Sequence, residues 1–152
     1  MPWIALTVDD VATKVAGPEL NAARTAALNS GQSDPLPQII GDTVDTIRGY
    51  VAGCRTNRLG PSSTIPSQLV STALVLIRTA ALNRLPVSSL HTETRRQEYT
   101  DAIKRLEHVS ACRFVIEQPE SDEIGPENMT GAGSPQIKRP PLNFQRHHAD
   151  GI

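Results

Sequence analysis

Between Leu69 and Leu82 the chain is apolar on almost every side of a helix: Leu69, Val70, Ala73, Leu74, Leu76, Ile77, Ala80 and Ala81 leave little polar circumference. Such a helix is stable only when other elements surround it, so it must be the centre of the fold. Aromatic residues make up 3% of the chain, while Ala, Leu, Val and Ile recur. A core of short aliphatic side chains favours close helix packing over sheet. At 152 residues there is room for one domain of ordinary size.

Helices can be placed on both sides of this centre. Thr7 precedes Val8-Asp9-Asp10-Val11, with carboxylates where the first turn of a helix favours them. The pattern predicts a short helix over about residues 8 to 16. Gly17-Pro18 ends it and opens a second, alanine-rich helix over Glu19 to Leu28. After the turn formers Asn29 to Pro35, the residues Ile39, Ile40, Val44, Ile47, Val51 and Cys54 recur at helical spacing and predict a long third helix. Leu59 to Pro66 reads as a loop, and Pro66-Ser67 starts the central fourth helix. Pro86 and Ser88-Ser89 break the chain again. Thr94 with Gln97 resembles a capping box for a fifth helix, with Tyr99, Ala102, Ile103, Leu106 and Val109 as its apolar stripe. The expected fold class is all-α, a small bundle of about five helices over residues 1–116.

From Glu117 onward Pro119, Pro126, Pro135, Pro140 and Pro141 punctuate a stretch whose apolar residues are isolated. A segment of that composition does not bury enough surface to fold alone. Residues 117–152 therefore read as a long extended docking arm, with Ile124, Met129, Ile137, Leu142 and Phe144 as spaced anchors for another chain.

Composition excludes several classes. The formal charge is -1, so no bulk field draws the chain to phosphate or to an acidic membrane. No run approaches the roughly 18 apolar residues of a spanning helix, and the N-terminus lacks the pattern of a secretory signal, so a soluble protein not exported by that route is expected. Cys54 and Cys112 are far apart and outside any C-x-x-C spacing, which predicts two reduced thiols, with Cys54 a small core residue. Compact signatures for nucleotide binding, nucleophile elbows and metalloproteases are absent from the sequence. Glu93, Glu98, Asp101 and Glu107 near His91 and His108 lack the Glu-x-x-His step of a di-iron bundle and read as a solvated face. His147-His148 forms no closed metal site. No catalytic residue, cofactor or metal is expected.

The expected chemistry is binding to other subunits. The cations are twelve Arg and three Lys, and Arg makes planar bidentate contacts at interfaces. Arg48, Arg55 and Arg58 on the third helix, and Arg95, Arg96 and Arg105 on the fifth, are candidates to meet carboxylates such as Asp42 and Asp45 on a neighbour. Gly49 and Gly53, four residues apart beside Ala52, predict a shallow groove for close helix packing, because each Gly costs about 1 kcal/mol of helix propensity. The alternative is a small helical DNA-binding regulator whose arginines contact phosphates, and an enzyme ranks third.

Four short runs carry a family resemblance. They are Asp45-Thr46-Ile47-Arg48-Gly49-Tyr50-Val51-Ala52-Gly53, Ile65-Pro66-Ser67-Gln68-Leu69-Val70, Arg95-Arg96-Gln97-Glu98-Tyr99, and Leu6-Thr7-Val8-Asp9-Asp10-Val11. Over roughly residues 3 to 116 the chain resembles the head-tail connector proteins of tailed bacteriophages. It departs from their pattern at Cys54-Arg55 and in a longer first loop, Asn29 to Pro37. The resemblance implies a virion neck adaptor that forms a homo-oligomeric ring of about twelve copies beneath the portal protein. It implies a platform for a neck stopper or tail terminator protein, an arm laid against the portal, and a channel that genomic DNA passes without specific binding. No membrane is involved in that role.

Overall fold

The computed structural model describes residues 3–15, 17–85 and 91–120. In chain order it has strand β1 (Trp3–Ala5), helices α1 (Val8–Lys14), α2 (Gly17–Asn29) and α3 (Leu36–Gly53), strand β2 (Thr64–Pro66), one 3-10 turn (Ser67–Leu69), and helices α4 (Val70–Leu82) and α5 (Glu93–Ser110). Over the described residues the fold is all-α with five helices. Ile124, Met129, Ile137, Leu142 and Phe144 lie outside the described residues.

The central helix is where its sequence requires it. α4 packs against α2, α3 and α5, and α3 also packs on α5. Within α4 only Ser71 is exposed. Ile47, Val51, Leu69, Ala73, Ile77 and Leu106 have no solvent exposure and form the middle of the core. Leucine-to-alanine changes at such sites cost about 2–5 kcal/mol because the cavity left behind collapses only partly.

The helix ends follow local chemistry. At α1, Thr7 Oγ1 accepts from the Asp10 amide at 3.2 Å, and Asp10 Oδ2 accepts from the Thr7 amide at 3.1 Å. That reciprocal pair satisfies two amides which the helix start leaves without partners. The Thr7 hydroxyl also donates to Asp10 Oδ2 at 2.7 Å. This hydroxyl bond first, and the Thr7 amide second, holds the Asp10 carboxyl below its ordinary value. A depressed folded-state value means the contribution is complete above the unfolded value and disappears as pH falls through the folded one. Asp10 is therefore expected to titrate below the usual aspartate range by NMR. Acid is expected to weaken the native chain more than an Asp10→Asn variant, and equal acid sensitivity of the two would disprove the link.

α2 ends in a left-handed residue, Gly31 at φ 75°. Its amide reaches Leu28 O at 3.0 Å, and the Gln32 amide reaches Ala27 O at 3.0 Å. This is the double bond pattern of a Schellman cap, for which glycine is the usual residue.

Three sequence expectations are corrected. Leu59 to Pro66 is not all loop, because Thr64–Pro66 pairs antiparallel with Trp3–Ala5 in the register Trp3↔Pro66, Ile4↔Ile65, Ala5↔Thr64. Pairs of three-residue strands carry too little alternation to be seen in sequence. The cap of α5 is Thr92, whose hydroxyl accepts from the Arg95 amide at 3.4 Å, and not Thr94. The apolar stripe of α5 narrows to Ala102, Leu106 and Val109, while Tyr99 is 41% exposed. α5 seats only its C-terminal part in the core, since every described residue from 92 to 101 is exposed or half-buried.

The cysteines also depart from expectation. Cys54 and Cys112 are joined in a disulfide, with Cα atoms 5.3 Å apart across 58 positions of sequence. Their separation along the chain carries no sign of this, because it is the packing of α3 on α5 that brings the two helix C-termini together.

Candidate interaction site at the root of the C-terminal segment

Trp3 is the chain's one tryptophan, and β1 places it opposite Pro66 of β2, 7% exposed. Three elements converge on its indole. A Cβ added at Gly60 would lie 2.6 Å from the ring, so only glycine lets the loop pass that close. The Arg48 guanidinium lies 5.7 Å from the ring centroid, within reach of a cation–π attraction. The indole Nε1–H donates to Glu117 O at 3.1 Å.

Arg48 does more than cover Trp3. Its Nη1 donates to Pro61 O at 2.9 Å and Thr64 O at 2.8 Å, and its Nη2 to Gly60 O at 3.2 Å. A single planar fork thus gathers the carbonyls of the loop that leads into β2, a task for which a lysine has the wrong geometry. Arg48, a candidate from sequence for a neighbour's carboxylates, holds three carbonyls of its own subunit.

The same region fixes the start of the C-terminal segment. Ile116 is 2% exposed. The Glu117 amide donates to Gln68 Oε1 at 3.1 Å. Gln118 Oε1 accepts from the Arg58 amide at 2.8 Å, and Gln118 Nε2 donates to Asn57 Oδ1 at 3.2 Å. Each such bond contributes about 0.5–1.5 kcal/mol net, so the set holds a defined path for the chain. The compact unit runs to Glu120, and Ile116 to Gln118 are the residues that tie its last stretch down.

The remaining candidates are dispersed. Asp42 and Asp45 are exposed on α3, and Arg55 and Arg58 are exposed just past its end. Arg95 pairs with Glu19 of α2, while Arg96 meets Glu93 at 3.6 Å on the same helix. Arg78, not singled out from sequence, pairs with Glu98. Arg105 is exposed on α5 and lines a shallow depression with Glu98 and Asp101. Gly53 has a packing partner, since an added Cβ would meet Ser110 Oγ at 2.3 Å, whereas Gly49 faces open space. The glycine pair is therefore not one groove within the subunit. Asp42, Arg84 and Tyr99 rim an open groove of about 420 Å³ floored by Ile39, Leu76 and Ile103.

Trp3, Gly60, Gln68, Asn57 and Gln118 are the residues that sequence reasoning misses. A lone tryptophan in an aromatic-poor chain was the available signal; the glutamines offered none. Among the described residues no three His, Cys, Asp or Glu side chains gather as a metal site, and no helix is long and apolar enough to cross a membrane.

Comparison with known proteins gives one family match: residues 6–133 fit the family described as "Bacteriophage Mu, Gp36". No curated protein and no solved structure matches.

Proposed function

The chain belongs to the bacteriophage Mu Gp36 family, and from that premise we propose that it is a structural virion subunit, a head-tail connector that works by binding and not by catalysis. It forms a ring under the portal protein, links the DNA-filled capsid to a neck stopper or tail terminator, and lets genomic DNA pass without gripping it. Its place is the neck of the virion, after assembly in the host cytoplasm. The observation that carries this reading is the fixed root of the C-terminal segment, where Glu117 and Gln118 bond to Trp3, Gln68, Asn57 and Arg58. A root held in place gives the segment beyond it a defined departure point, which reduces the ordering entropy lost when a spaced apolar sequence docks on a partner. Ile124, Met129, Ile137, Leu142 and Phe144 supply the docking side chains.

Ring closure needs two different faces on each copy. Exposed Asp42 and Asp45 on one helix, with Arg55, Arg58 and Arg105 elsewhere, supply unlike charges for them. A DNA-binding regulator fits less well, because Arg48 is occupied by three carbonyls of its own chain and Arg95 by Glu19. Phosphate affinity scales with the number of cations free to make contact.

Co-purification with the portal protein of the same phage tests the proposal, using the full chain and a version ending at Gln118. The full chain is expected to capture the portal and the shortened one to lose at least about tenfold in affinity, or about 1.4 kcal/mol. Capture by neither, with salt-sensitive retention of duplex DNA by the free chain, would replace the connector with the regulator.

A further inference from the structure

The disulfide sits on the root of the C-terminal segment. Cys54 is the C-terminal cap of α3 and is 2% exposed. Cys112 lies one residue past Ala111, the cap of α5, and is exposed. From these two residues the segments 54–58 and 112–118 leave the helices. They meet again where Gln118 bonds to Asn57 and to the Arg58 amide. One sulfur bond closes the near end of this pair of segments, and two amide hydrogen bonds close the far end.

The backbone at Cys112 gives a second indication. Its φ is 59°, its amide reaches Val109 O at 3.1 Å, and the Arg113 amide reaches His108 O at 2.8 Å. This is the same cap that α2 makes with Gly31, but here a residue with a side chain occupies the left-handed position. Such a residue is strained there unless its surroundings hold it. The bond to Cys54 adds to those two hydrogen bonds in holding it. As free thiols the pair would leave the turn to its two cap hydrogen bonds alone, with the root kept by hydrogen bonds and by buried Ile116.

We propose that Cys54–Cys112 is a redox-operated staple on the root of the C-terminal segment. A phage protein is made in a bacterial cytoplasm, where small thiols keep cysteines reduced and disulfides are rare. The pair is open there, and the root is free to adjust while partners assemble on it. It closes after release, by exchange with a low-molecular-weight disulfide. The Cys112 thiolate attacks one sulfur of that disulfide, forming a mixed disulfide and expelling one small thiolate. The Cys54 thiolate then attacks Cys112 Sγ, closing the protein bond and expelling the second. Two electrons pass from the cysteine pair to the small disulfide, which leaves as two thiols, and the two cysteine protons go to solvent or to the departing thiolates. Exposure sets the order, since a buried Cys54 cannot meet a bulky oxidant first. The redox chemistry rests on the family and on this geometry, while the assembly of partners on the open root rests on the proposed connector role.

The test uses the full chain, reduced with dithiothreitol and then transferred to oxidised glutathione. Intact mass is expected to show loss of both thiols with no glutathione retained. A Cys54→Ser variant is expected to retain one glutathione, on Cys112. Hydrogen exchange at the Arg58 and Glu117 amides, which donate to Gln118 and Gln68, is expected to slow by about tenfold on oxidation. Thiols that persist in oxidised glutathione, or equal exchange in the two forms, would overturn the staple. Absence of an adduct on Cys112 in Cys54→Ser would overturn the order of attack. The exchange comparison needs only the native chain in two redox states, so it does not depend on a variant that folds.

Discussion

Trp3→Ala is expected to lower the unfolding free energy by about 3–5 kcal/mol, the range for removing a buried large aromatic side chain. Trp3 is 7% exposed, and its removal takes away more than volume. The guanidinium of Arg48 loses the ring it covers, the Gly60 backbone loses the surface it rests on, and Glu117 O loses its donor. The last of these loosens the root of the C-terminal segment. Limited proteolysis at Arg113 is therefore expected to speed up along with the loss of stability. Trp3→Phe should fall between, because it keeps an aromatic body for Arg48 and Gly60 but has no N–H for Glu117. A urea denaturation curve for each variant measures the effect. A cost under about 1 kcal/mol for Trp3→Ala would show that the convergence on the indole is not what holds these elements.

Opening the disulfide is expected to have the second large effect. A bond across 58 positions removes loop-closure freedom from the unfolded chain that corresponds to about 4 kcal/mol, and measured losses centre on about 2–4 kcal/mol. Dithiothreitol, or Cys54→Ser, should lower the urea midpoint accordingly. Under reducing conditions Cys112→Gly should be more stable than Cys112→Ala by about 1 kcal/mol, because the residue adopts a left-handed backbone that glycine accepts without strain. An unchanged midpoint with and without reductant would mean that α3 and α5 hold their ends together without the bond.

How much of this was legible beforehand depends on the distance over which each signal acts. The Thr7 cap, the opening of α2 at Gly17-Pro18 and the central place of Val70–Leu82 all follow from residues within a few positions of one another, and the structure has them where the sequence puts them, although α1 ends at Lys14, before the expected residue 16. Tyr99 failed as a core residue because helical spacing shows which side chains share a face and not how far along the helix its neighbour extends. The partners of Arg48 and Arg95 within the subunit were hidden for a related reason: a charge reads as exposed until the partner that reaches it, from a loop or from α2, is in place.

The sequence by itself determined that the described residues form a helical fold, that they make five helices, and which of them lies at the centre. Those facts are periodicity and end-capping, which are written into consecutive residues. The tertiary structure alone decided the β1–β2 pair, the Trp3–Arg48–Gly60 convergence, the Cys54–Cys112 bond and the anchoring of Glu117 and Gln118. Each of these joins residues from about a dozen to more than a hundred positions apart, and such pairings come into being only when helices of fixed length pack around α4 and bring their ends together.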